Sequence, residues 1–207
     1  MCKFAVMKSL FLKREWFILW LIGMLAGCVQ HFDAQPIPET LKKPAVFGYI
    51  EVWQAEPSGR IFLPQVASFE FIRQEGGERY RVDIGADSSF FIVSVDPGRY
   101  KLTRLILREG EFRASADVPL TFEVPSRGLA YLGKWSIQVE SPNFTRELEL
   151  NVKTEMVEAL VDLTLRYPMF DIEEVVTRVA EPPVVRSRLY EMTPYPRFRW
   201  FNRHNPT

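Results

Sequence analysis

Cysteine and histidine are almost missing from this chain, with two of each in 207 residues. Both cysteines, Cys2 and Cys28, lie in the first 28 residues, so no disulfide can staple the remainder of the chain. The core must hold by packing alone. His31 and His204 sit far apart, one in a proline-containing N-terminal stretch and one three residues from the C-terminus. Neither place offers the positioned nucleophile and partner that a catalytic histidine needs. No Gly-x-Ser-x-Gly elbow, phosphate-binding loop or clustered Cys/His metal motif is present. A charge surplus is also absent: 26 basic residues balance 26 acidic ones. That balance gives no electrostatic footprint for nucleic acid. The N-terminal apolar stretch at 17–27 is 11 residues long, against the roughly 20 that span a bilayer as a helix.

What is present begins at the N-terminus. Lys3, Lys8, Lys13 and Arg14 form a basic head opposed only by Glu15. The uncharged stretch FILWLIGMLAG comes next. A basic head, a short apolar segment and small residues are the parts of a secretory signal. The stretch ends in Leu25-Ala26-Gly27-Cys28, which resembles the lipobox of bacterial lipoproteins at all four positions. The resemblance implies cleavage before Cys28, diacylglycerol on its sulfur and an acyl chain on the new amine. Three chains hold far more firmly than one. Val29 departs from the Asp that often retains such proteins at the inner membrane, which implies an outer-membrane address. Loss of residues 1–27 removes four basic residues and one acidic residue, leaving 22 and 25 and a formal net charge of −3.

Residues 28–43, with Pro36 and Pro38, read as a tether. From residue 44 to 152 the pattern is that of strands. Ala45 to Trp53 is rich in β-branched and aromatic residues. Tyr80, Val82 and Ile84 alternate with polar residues, as do Leu120, Phe122 and Val124, and Leu148, Leu150 and Val152. Leu129, Tyr131, Trp135, Ile137 and Val139 read as one core face, with Lys134, Ser136, Gln138 and Glu140 facing water. Phe90 to Val95 is nearly all apolar and reads as a central strand, ended by the Asp96-Pro97-Gly98 turn. Short strands separated by such turns predict a mainly β fold, an antiparallel β-sandwich. The stretches Phe91 to Tyr100 and Gly128 to Gly133 resemble small prealbumin-like or carboxypeptidase-regulatory-like β-sandwiches. That resemblance implies a binding, adhesive or assembly module.

Residues 153–190 change period. Met156, Leu160, Leu163 and Tyr167 recur at helical spacing, with Thr154 as the expected cap and Pro168 as the stop. A second helix is expected from Asp171, with Ile172, Val175, Val176 and Val179 as its stripe and Pro182-Pro183 as its end. Both C-terminal helices are expected to pack on the sandwich. Residues 184–190 read as an edge strand.

No residue is assigned a catalytic role, and no cofactor or metal is expected. Asp83, Asp87, Asp96, Glu109 and Glu111 read as solvated turn residues; the alternatives are a pair of convergent carboxylates acting on a sugar bond and a calcium role, for which Asp83 to Asp87 lacks the full repeated oxygen-ligand pattern. The tail at 191–207 interleaves rings and cations, and Arg197, Arg199, Trp200 and Phe201 are its candidate partner contacts. The expected protein is a non-enzymatic, outer-membrane lipoprotein, tied to the bilayer through Cys28. It would serve as a binding, structural or assembly module for an envelope protein or glycan. Its alternatives are an envelope polysaccharide or peptide hydrolase and an accessory subunit of a secretion or surface-assembly machine.

Overall fold

The computed structural model describes residues 29–38, 41, 44–56, 62–85, 89–140 and 146–192. Its first half contains β1 (Val29–Asp33), β2 (Ala45–Gln54), β3 (Gln65–Arg73), β4 (Arg79–Asp83), β5 (Phe90–Ser94) and β6 (Gly98–Glu109). Then come β7 (Phe112–Asp117), β8 (Thr121–Val124), β9 (Leu129–Val139) and β10 (Arg146–Lys153). Helix α1 (Val157–Arg166), β11 (Val175–Thr177) and β12 (Val184–Glu191) complete the described chain.

These strands build one sheet, not the two facing sheets of a sandwich. Its order is β1-β4-β3-β6-β7-β12-β10-β9-β2-β5, with β8 beside β6 and β11 beside β9. The sheet curls until its two ends nearly meet. Ala34, just past β1, donates its amide to Asp83 O at 3.0 Å and accepts from Ile92 N at 2.9 Å. One buried alanine thus stitches β4 to β5, and the expected sandwich is replaced by a nearly closed barrel. Alternating patterns cannot separate the two architectures, because both bury one face of every strand. The segment expected to be a tether carries both β1 and this seam.

Side chains fill the barrel interior. Trp135 sits at the centre, with Phe69 and Phe91 ring centroids at 5.3 Å and 5.0 Å. Towards one end Phe71, Tyr80, Tyr100 and Phe122 stack and interlock at centroid distances near 5 Å. A second, smaller core lies outside the barrel wall. Ala159, Leu163, Tyr167 and Phe170 cover Ala45, Phe47, Phe90, Ile92, Leu129 and Tyr131. β5 is therefore buried on both faces although it ends the strand order.

The face reading of β9 needs correction at Gly133. Leu129 and Tyr131 point outward under α1, whereas Trp135, Ile137 and Val139 point into the barrel. The β2–β9 register slips there, Phe47 facing Tyr131 and Tyr49 facing Lys134. Gly133 takes φ +105°, and the extra residue reverses which side chains face inward. Lys134 and Ser136, expected in water, are consequently buried.

Only one of the two expected helices forms among the described residues. α1 begins after Met156, which makes no side-chain cap, and Tyr167 N–H closes it on Leu163 O. Asp171 does cap, accepting from Glu173 N at 2.9 Å, but it opens only a single 3₁₀ turn over Ile172–Glu174. Val175-Val176-Thr177 then pair in parallel with Leu129, Ala130 and Tyr131. β10 covers β9 only from Lys134 onward. β11 therefore fills a vacant stretch of the ladder, a tertiary demand that outweighs a helical stripe. β12 is not an edge strand either: it lies between β7 and β10.

Candidate functional site

An open cleft of about 580 Å³ lies on one side of the barrel. Its first wall is β8 with the start of β6: Thr121, Phe122, Glu123 and Arg99. Its second wall runs from Thr177, the last residue of β11, along the strap of Arg178 and Val179 to Glu181. Gln74, from the β3–β4 turn, closes one end. Backbone bonds hold the two walls. Thr121 N donates to Glu181 O at 2.6 Å, and Glu181 N returns to Thr121 O at 2.8 Å. Arg178 N and Ala180 N donate to Tyr131 O and Leu132 O, which ties the strap to β9.

The cleft is polar and carries both signs. Arg99 and Glu123 are opposite partners in the β6–β8 ladder. Arg178 and Glu181 supply a second cation and a second carboxylate from the facing wall. Beside it, Glu75 accepts from Arg99 N at 3.2 Å. The Glu75 and Arg99 backbone amides hold the Glu75 carboxyl below the usual carboxylate range. Paired guanidinium and carboxylate groups with Gln and Thr offer directed donors and acceptors to a hydroxyl-rich ligand. The volume matches sites that take small ligands or a short run of a chain.

Two further charge clusters brace the barrel. Arg146, on the inner face of β10, pairs with Glu109 of β6, both 3% exposed. Its guanidinium also reaches Glu191 at 3.5 Å, and its Nε donates to Glu140 O at 2.7 Å. Lys134 stands under the start of α1, with Glu158 at 3.5 Å, Glu51 at 3.6 Å and Glu155 at 3.8 Å. Burial pulls the Lys134 pKa down, but Glu51, Glu158 and Glu155 outweigh it and hold it above the ordinary lysine value. Glu158 is lowered by its own backbone amide and then by Lys134.

Cys28, Arg197, Arg199, Trp200 and Phe201 lie outside the described residues, as does Asp87. The other acidic candidates do not converge. Asp83 pairs with Arg81 at 2.8 Å, Asp96 lies 3.8 Å from Arg73, Glu109 is buried on Arg146 and Glu111 is exposed. Among the described residues, no group of three or more His, Cys, Asp or Glu stands ready for a metal. The cleft residues were not legible beforehand. Arg99 and Arg178 are 79 positions apart, and the strap carrying Arg178 read as helix. The alternation of Thr121 and Glu123 with Leu120, Phe122 and Val124 placed those two on an outer face, which was the advance signal.

A scan of protein-family models gave no match to this chain, and searches of curated proteins and of solved structures returned no similar protein.

Proposed function

We propose that this protein is a lipid-anchored, non-enzymatic binding or assembly module of the bacterial outer membrane. Cleavage before Cys28 and acylation of its sulfur and amine would tie it to the bilayer. The observation that carries the reading is Leu25-Ala26-Gly27-Cys28 at the end of a charge-headed apolar stretch. The barrel supplies a rigid body, and the cleft between β8 and the strap supplies a polar binding surface suited to an envelope glycan. The basic and aromatic tail, with Arg197, Arg199, Trp200 and Phe201, supplies contacts to a protein partner.

Metabolic labelling with a fatty-acid analogue tests the anchor. Label should accompany the protein into the outer-membrane fraction and vanish in Cys28→Ser; label that persists overturns the site. Soluble envelope glycan fragments test the cleft. Arg178→Ala should unfold within about 0.5 kcal/mol of wild type, since an exposed side chain is lost and its backbone bond stays. Binding should fall at least tenfold; unchanged binding overturns the cleft as the glycan surface. Crosslinking in intact envelopes tests the tail: Trp200→Ala/Phe201→Ala should lose the partner.

One observation favours a second reading. Glu123 and Glu181 both line the cleft, as two carboxylates do in a glycoside hydrolase. Release of reducing ends from envelope polysaccharide, abolished by Glu123→Gln or Glu181→Gln, would replace the binding module with an enzyme.

A further inference from the structure

We infer that the barrel stands end-on upon the membrane, with one identified rim in the headgroup layer. The inference rests on the acylated Cys28 proposed above and adds the surface that meets lipid. Its basis is the missing slack between anchor and fold. β1 starts at Val29, and every residue from Val29 to Asp33 is paired in register with Arg79 to Asp83. Phe32 packs on Tyr80 at 5.8 Å, His31 lies 3.6 Å from Asp83 and Ala34 is buried in the closing seam. Consecutive Cα atoms are about 3.8 Å apart. An acylated Cys28 would thus stand one residue from a strand paired along its whole length.

The strand pairings identify the rim. Val29 is opposite Arg79, Arg79 opposite Ile72, and Ile72 opposite Lys101. The β3–β4 turn begins two residues beyond Ile72, so it projects about 7 Å past Val29 at about 3.3 Å per residue. A headgroup layer is about 5–7 Å thick on each side of the hydrocarbon. The turn at 74–78 and the neighbouring turn at 96–98, bridged by Gln74 N to Arg99 O at 2.9 Å, fall within it. This brings the Gln74 and Arg99 end of the cleft to the headgroups, so a glycan held there would be bound beside the membrane. Their charges are mixed, Glu75, Glu78 and Asp96 beside Arg73, Arg79 and Arg99, which suits zwitterionic phospholipid better than a strongly anionic surface. Val29, Ile172 and Val176 add exposed apolar side chains to this rim. The opposite rim carries Phe62 and Leu63, exposed at 62% and 72%, and Met192, whose N–H binds Arg113 O. That rim would face away from the bilayer.

The test uses the acylated mature protein in phosphatidylethanolamine/phosphatidylglycerol vesicles carrying a headgroup-attached quencher. A fluorophore is placed at Glu78→Cys on the proposed lipid-facing rim or at Glu111→Cys on the other; no other thiol remains once Cys2 is cleaved off and Cys28 acylated. Quenching should be several-fold stronger at position 78. Insertion of ten Gly/Ser residues between Cys28 and Val29 should erase the difference, since such a linker spans about 17 Å. Equal or reversed quenching without the insertion overturns the orientation. So does a difference that survives the insertion, because the anchor would not then set it. The intact mass of the same samples reads the anchor separately: absent acyl mass overturns the lipoprotein reading itself.

Discussion

Arg146 brings a guanidinium into the barrel interior, where Glu109, Glu191 and the Glu140 carbonyl surround it. A buried pair gives little net stability over an apolar replacement, yet breaking it is expensive. Arg146→Met, which leaves Glu109 without its guanidinium, should cost about 3–5 kcal/mol, and adding Glu109→Leu should recover most of that. Urea unfolding of the single and double variants checks this; equal losses would show that packing, not charge, holds the site. Lys134 predicts a pH signature. Its raised pKa stabilises the fold below the ordinary value of 10.5 and ceases to as pH climbs through the raised value. The lowered Glu158 stabilises above its ordinary 4.5 and loses that contribution as pH falls through the folded value. The stability difference between wild type and Lys134→Met should therefore be flat in between and shrink at both extremes. A difference independent of pH would assign the effect to the lysine stem instead.

At the scale of elements, β9 shows what a sequence pattern conveys and what it hides. Most strands and the first helix were legible, because alternation and helical spacing are local properties of the chain. The bulge at Gly133 was not, since the register slip opposite Gly48 exists only once β2 and β9 pair. A Cβ at Gly133 would stand 2.7 Å from Val152 Cγ1 and 3.0 Å from Lys153 O, in a backbone region that L-residues rarely adopt. Gly133→Ala should cost about 1–3 kcal/mol, read as a lowered urea midpoint with an unchanged slope. A neutral substitution would mean that the bulge relaxes freely. The expected second helix failed for a related reason: Ile172, Val175, Val176 and Val179 fit a helical stripe, but the open ladder beside Leu129–Tyr131 could be seen only in three dimensions. α1 keeps a ridge of its own, with Val157, Val161 and Leu165 exposed at 73%, 54% and 76%. The four-residue spacing of its apolar residues therefore serves two faces, one on the barrel and one in solvent.

At the scale of the whole molecule, closure depends on chain that read as a tether or as a helix. Ala34 joins β4 to β5, and the strap at 177–181 joins β8 to β9. Neither segment has a strong strand signature, so the choice between sandwich and barrel was written where the local pattern pointed away from strand. The cleft is a by-product of that closure, which explains why its arginines and carboxylates come from distant positions. The fold also removes the tether from the functional picture: the chain enters its first ladder one residue after Cys28. Under the proposed lipid anchor, attachment and orientation would therefore both depend on acyl groups at that cysteine. Intact mass spectrometry of the protein purified from bacterial membranes reads them directly. A lipoprotein should give a chain that begins at Cys28 and is heavier by a diacylglyceryl group and a third acyl chain. A chain that begins upstream of Cys28 and carries no fatty acid would contradict the proposed anchor.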